Sequence, residues 1–236
     1  MSGHHGTAGP GEPFTERRDA YRCPERTGRL AVVPAPPILR DVFHALRDEL
    51  GVEDDGVTFD DGPQPLQRLD VLLYRAGDPA ATTALATVGM SAHPMPPRGK
   101  GPGGRAELRL FRRGPLERDA EQRLAMRLAN LAAYPWTRGQ PLGWGELIGF
   151  EDEIPAFPGC RSVFLAGPWA REQRAALETR VEPVRLINAV PISPAEHAQA
   201  RTTRPETFFS GLLDSRDIFA PPGAGHPSPA PGAGQG

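Results

Sequence analysis

The sequence predicts an α+β fold: a mixed or antiparallel central sheet flanked by helices, in a single domain with disordered termini. Three observations lead there. Strand-like runs group between residues 69 and 112 and again between 163 and 190, instead of alternating strictly with helices. Two segments, 37–50 and 116–134, repeat apolar residues at the helical period. The 28 prolines and 27 glycines concentrate at the two ends and in loops, leaving the middle free to pack. A chain of 236 residues is long enough for one core without disulfides or metals.

Residues 1–36 mix Gly, Pro, His and charge without period, and they lack the apolar surface that would offset ordering. The sequence predicts disorder there, and His4 and His5 are incidental to it. The domain is expected over 37–215, and the Pro/Gly-rich tail 216–236 is expected to be disordered.

The first element is a helix from Pro37 to Leu50. Proline suits its first turn, Ile38, Leu39, Val42, Phe43, Leu46 and Leu50 line one face, and Gly51 caps it. His44 falls off that face. The acidic run Glu53-Asp54-Asp55 with Asp60-Asp61 lacks the ligand spacing of a calcium loop and predicts a solvated loop. Leu69–Tyr74 and Thr82–Met90 have strand character and are joined at Gly77-Asp78-Pro79. A long Pro/Gly loop follows, and Ala106, Leu108 and Leu110 alternate with Glu107 and Arg109 in a third strand.

A second helix is predicted from Leu116 to Tyr134, with a stripe of Leu116, Ala120, Leu124, Leu128 and Leu131 and an Asp119–Arg123 pair on its wet side. Pro135 should stop it. Leu147–Phe150 fits a short strand or a turn. Val163–Ala166 and Val184–Val190 are apolar enough for central strands, the latter closed by Pro191. Ser193 and Glu196 have capping-box spacing, and a last helix spans about Glu206 to Leu213.

The chemistry is sparse. Net charge of −2 creates no field for nucleic acid or an anionic membrane, and no run approaches a membrane span. Lys100 is the only lysine, all other basic residues being arginine. No charged start leads into an apolar core at the N-terminus, so a cytoplasmic protein with free Cys23 and Cys160 is predicted. Ser91 in Gly-Met-Ser-Ala-His lacks the nucleophile-elbow pattern, and the Gly-Lys of Arg98–Arg105 lacks that of a phosphate loop. His44, His93 and His197 share no metal-ligand spacing, so no metal or cofactor is predicted. Asp70 and Glu107 are charges inside strands. Facing each other near His93 they would suit acid–base chemistry, in an enzyme of unassigned reaction; bonded locally they are structural.

Several segments taken in order resemble the suppressor-of-fused domain family. They are Leu69-Asp70-Val71, then Thr87-Val88-Gly89-Met90-Ser91 with Pro94-Met95, then Arg105-Ala106-Glu107-Leu108. Val184 to Pro191 with Ile192-Ser193-Pro194-Ala195-Glu196 completes the set. The resemblance covers about Gln67 to Leu213 and marks Asp70, Gly89, Met90, Ser91, Pro94, Met95 and Glu107 as signature positions. It departs at Phe111–Pro115 and at Arg201–Arg204.

The resemblance implies an α+β binding domain without catalytic residues. Short length and composition place the chain with the family's bacterial branch, whose members are associated with immunity to polymorphic toxins. A protein partner, plausibly a cognate toxin, is therefore expected, with Met95, Arg98, Lys100, Arg105, Trp136 and Trp144 as contact candidates and Trp169 beside them. A regulator that binds a protein tail by strand addition is the alternative.

Overall fold

Residues 36–101, 103–169 and 173–223 are described by the structure, a computed structural model. The predicted disordered N-terminal segment, Cys23 included, lies outside them except for Pro36, and of the predicted tail residues 224–236 lie outside. Helix α1 (Pro37–Leu50) starts at a proline and ends at Gly51, whose φ of 91° suits a residue without a side chain. It buries Ile38, Val42 and Leu46. The acidic segment expected as a loop instead contributes an edge strand, β1 (Asp55–Phe59). Its neighbour β2 (Leu69–Tyr74) supplies the register, Val57 against Val71 and Phe59 against Leu69, that composition alone could not reveal.

Strand β3 (Thr82–Val88) stops two residues short of the predicted end, where a 3-10 turn forms over Met90–Ala92. Strand β4 (Arg105–Arg113) follows the long loop. Helix α2 (Arg118–Arg138) passes through Pro135 and ends at Gly139 in the left-handed conformation. Proline therefore does not stop it. The last turn survives because Gly139 and Gln140 donate to the Pro135 carbonyl.

The remaining strands are β5 (Leu147–Gly149), β6 (Ser162–Ala166), the two-residue β7 (Ala176–Leu177) and β8 (Val184–Ile192). Pro191 lies inside β8 and does not close it. Helices α3 (Pro194–Ala200) and α4 (Pro205–Ser215) complete the chain. The sheet order is β1-β2-β3-β4-β8-β6-β5, with β7 also on β8. Only the β4–β8 pair is parallel, so the sheet is mixed, as predicted.

Alternation along the strands divides the core between two faces. Leu85, Leu108, Val163, Ile187 and Ile148 point to the face covered by α2. Ala86, Leu186 and Leu72 point to the other, beneath α1. Further along that second face Phe164, Val190 and Ile192 meet Phe208 and Leu212 of α4. Buried Arg109 and Asn188 lie between these two clusters, with Arg109 Nε donating to Asn188 Oδ1 at 3.0 Å and Glu49 of α1 closing an ion pair.

Ser193 and Glu196 form the predicted capping box, the serine hydroxyl accepting from Glu196 N and the Glu196 carboxylate accepting from Ser193 N. Ser193→Ala should cost about 1 kcal/mol, read as a melting temperature lower by about 2–4 °C.

The chain stays packed past 215, since Ile218 and Ala220 are buried. Asp217 anchors this stretch, accepting from Arg113 Nε at 2.8 Å and Phe219 N at 2.9 Å. Burial pushes its carboxyl up, but those hydrogen bonds hold it below the usual carboxylate range. A carboxyl that titrates lower folded than unfolded stabilises above its unfolded pKa and loses that contribution as pH falls through the folded one. Urea unfolding of Asp217→Asn should therefore show lower stability at neutral pH and a shallower loss below about pH 4.

Candidate functional site

The densest polar constellation is the corner where β3 leaves the sheet. Glu107 is fully buried on β4, and its Oε1 accepts from Gly89 N at 3.0 Å, Ser91 N at 2.9 Å and Ser91 Oγ at 2.6 Å. Its Oε2 accepts from Thr87 Oγ1 at 2.5 Å. Thr87 Oγ1 in turn accepts from Leu108 N at 2.8 Å, so this side chain sits between the two strands. Arg105, two residues before Glu107, donates to the Ser91 and Ala92 carbonyls at 2.8 and 2.7 Å and pairs with Glu182.

Residues i and i+2 of β4 thus grip the donors and the acceptors of one turn. Gly89 has φ 142°, and a Cβ there would lie 3.0 Å from the Arg68 carbonyl oxygen. Only glycine fits. Burial pushes the Glu107 pKa up, against the pull of its four hydrogen bonds. With no solvent access, this carboxylate clamps the turn and has no route to a substrate.

At the opposite end of the sheet lies β5. Among the described residues β5 pairs only with β6. Phe150 N donates to Arg161 O at 2.7 Å, and Leu165 N donates to Glu146 O at 2.8 Å. Antiparallel alternation then turns Ile148 toward β6 and aims the N–H and C=O groups of Leu147 and Gly149 outward.

Helices on both faces overhang this edge. Tyr134, Gln140 and Pro141 form one wall of a slot, and Pro194, His197 and Arg201 form the other. The cavity is about 630 Å3, with β5 as its floor and Phe150 and Arg161 at one end. His197 Nδ1 is buried without a hydrogen-bond partner among the described residues. Burial and neighbouring Arg201 hold its pKa below the usual histidine value. An unsatisfied buried group of this kind costs about 1–3 kcal/mol until something bonds it.

The other edge of the described sheet, β1, is built differently. Asp55 there is bridged by Arg75 and Arg118, and Arg75 also by Glu121, so charge covers the strand.

Across an Arg98–Glu146 ion pair the slot meets a smaller groove of about 250 Å3, lined by Met95, Gly103, Trp144 and Arg185. Trp144 is 47% exposed, the only large aromatic so exposed among the described residues, yet it is held in place. Its Nε1 donates to Leu186 O at 3.1 Å, and its ring lies against Gly167, where a Cβ would come within 3.0 Å.

The model of the suppressor of fused protein family matches residues 65–220, which span the corner, the slot and the C-terminal helices. The chain belongs to the suppressor of fused family. Three solved structures share the fold, each with a TM-score of 0.56. A suppressor-of-fused homologue from Neisseria gonorrhoeae is 15% identical, with 75% of this chain and 90% of that one covered. The Sufu–Fu complex is 16% identical over 78% of this chain and 86% of that one. Drosophila Suppressor of Fused is 15% identical; 78% of this chain corresponds to 48% of that protein. No curated protein sequence matches the chain.

Most of the positions marked as a signature in the sequence meet at the corner: Gly89, Met90 and Ser91 form its turn, Glu107 holds it, and Met95 returns into the core at 3% exposure. Pro94 is exposed beside it. Asp70 lies apart, accepting from Thr58 Oγ1 at 2.6 Å and paired with Arg68. The slot and the smaller groove are lined by none of Asp70, Glu107 and His93, so neither assembles the acid–base trio.

Of the contact candidates, Met95, Arg98 and Trp144 meet in the smaller groove, with Lys100 exposed on the loop above. Met95 is a buried wall there, and Arg105 is committed to the corner. Trp136 packs half-buried against the core beneath α2, and Trp169 packs edge-on against Phe111 and Phe219. Cys160 is buried, its thiol pushed up to about 12, and has no nucleophilic character at neutral pH.

The position of β5 at the edge of the described sheet was not evident from the sequence. Its one signal is Leu147-Ile148-Gly149 set between Gly- and Pro-rich segments, and the arginines and histidine that wall it are scattered over 40 residues of sequence.

Proposed function

We propose that the chain is a non-catalytic protein-binding module that captures an extended segment of its partner as an added strand on β5. The observation that carries this reading is an edge that has no second strand beside it among the described residues and forms the floor of a slot walled by helices from both faces. Backbone groups of Leu147 and Gly149 would hold the segment, and the walls would select its side chains. Three edge residues make too small a contact for a stable complex on their own. The adjoining groove supplies a rigid, half-exposed Trp144, the kind of anchor that dominates interface energetics. The solved Sufu–Fu complex is a protein–protein assembly and supports a binding role in this family.

In its finer form the reading makes the chain a cytoplasmic immunity protein whose partner is a cognate polymorphic toxin. Family membership and the likeness to a bacterial homologue support it. It is tested by co-expressing the full chain with each toxin-like protein encoded beside it. Growth rescue by the parent and not by Trp144→Ala is the expected result. Absence of rescue with every such neighbour would discard the immunity role and leave a regulatory binder.

A further inference from the structure

The groove beside Trp144 has more positive charge than its own lining can match. Arg98 and Arg185 line it, and Lys100 is exposed on the loop above. Glu146 is its one acidic lining residue, and that carboxylate is taken by Arg98 and by Gly143 N at 3.2 Å. Glu182, three residues before Arg185, is paired with Arg105 at the corner. The Arg185 side chain is exposed and makes no ion pair or hydrogen bond among the described residues. Its guanidinium lies over the Trp144 ring, 5.8 Å from the centroid, and that ring is itself fixed by its bond to the Leu186 carbonyl. A guanidinium held on an aromatic face keeps its N–H groups for another partner, and ordering it in advance lowers the entropy lost when a carboxylate arrives.

We propose that the captured segment, where it leaves β5 and crosses into this groove, sets an Asp or Glu side chain against Arg185, and that this contact decides which segments are accepted. The proposal rests on strand capture at β5 and adds the charge of the occupant. Trp144 lies three residues before β5, so the acidic residue falls about four residues from the centre of the added strand and on one side of it only. Arg98, paired with Glu146 at the crossing, neutralises the groove's own carboxylate and leaves Arg185 to the arriving one.

The test uses the full chain against two peptide libraries, random dodecapeptides displayed internally between flexible linkers and the same dodecapeptides displayed at a free C-terminus. The expected result is enrichment of internal peptides with Asp or Glu at one fixed offset from a β-prone stretch. Arg185→Gln and Arg185→Glu are first checked for a parental melting curve. The glutamine variant should weaken the best peptide about tenfold, and the glutamate variant should weaken it further. Exchanging the acidic residue of that peptide for Lys should weaken it against the parent and strengthen it about tenfold against Arg185→Glu. A merely structural role for Arg185 would not produce that reversal.

Enrichment confined to free C-termini would assign the carboxylate to a chain end and overturn the side-chain form. Enriched strands without an acidic preference, or with one that Arg185→Glu leaves unchanged, would overturn the subsite while leaving strand capture intact. No enriched peptide in either library would count against strand capture itself and would remove the basis of the subsite.

Discussion

Glu107→Ala should be the most destabilising single substitution in the corner, at about 3–5 kcal/mol. The loss has two sources. Removing the carboxylate leaves the Thr87 and Ser91 hydroxyls and the Gly89 and Ser91 amides buried without their acceptor, at about 1–3 kcal/mol for each group that water cannot reach. It also opens a cavity between β3 and β4 that the surrounding strands fill only in part. Relaxation of the turn keeps the total below the simple sum.

Glu107→Gln separates the contributions, because it preserves volume. Its amide oxygen can replace Oε1 for the three donors from Gly89 and Ser91, but its NH2 then faces the Thr87 hydroxyl, which must turn to accept. About 2 kcal/mol is expected. Urea unfolding at neutral pH measures both, and the order Ala worse than Gln worse than parent is required. An alanine variant within about 1 kcal/mol of the parent would mean that the turn is held by its own backbone and by Arg105. Amide exchange should rise first over residues 89–96 and extend to the groove that Met95 lines.

Much of this architecture is legible from local chemistry. Pro37 and Gly51 bound α1, apolar runs give β2 and β8, and Ser193 with Glu196 marks the start of α3. The strand β1 is not legible. Asp54 and Asp55 have low strand propensity, and what makes their segment a strand is pairing with β2 and neutralisation by Arg75 and Arg118, which come from distant sequence. Helix α2 crosses Pro135 for a similar reason: Leu128, Leu131 and Ala132 are already docked on the sheet, so one lost backbone bond is outweighed.

The signature residues could be recognised as a set, but not what they do together. Glu107 alone in a strand suits catalysis and structure equally well, and only the convergence of Thr87, Gly89 and Ser91 on it settles the matter. The slot is harder still. Its floor is a strand of three residues, and its walls join residues that follow α2 with residues of α3 and its end, which no linear motif connects.

Gly149→Pro is expected to abolish partner binding, by about a hundredfold or more, while leaving the fold intact. Gly149 faces Ser162 across a non-bonded position of the β5–β6 pair, so its N–H points away from β6 and contributes nothing to the sheet. Proline is tolerated at such outward positions of edge strands, and the φ of Gly149 is not in the positive region that would exclude it. A melting curve within about 1 kcal/mol of the parent is therefore expected. On the binding side the change acts twice, removing a donor that the added strand needs and placing a pyrrolidine ring where its backbone would lie. The neighbouring Ile148→Pro reverses the balance, because that N–H belongs to the ladder with Val163 and its loss should cost about 3 kcal/mol. A Gly149→Pro protein that folds and still binds at parental affinity would rule out strand addition at β5. It would move the partner to the groove beside Trp144, where no main-chain pairing is available and recognition would rest on side chains alone.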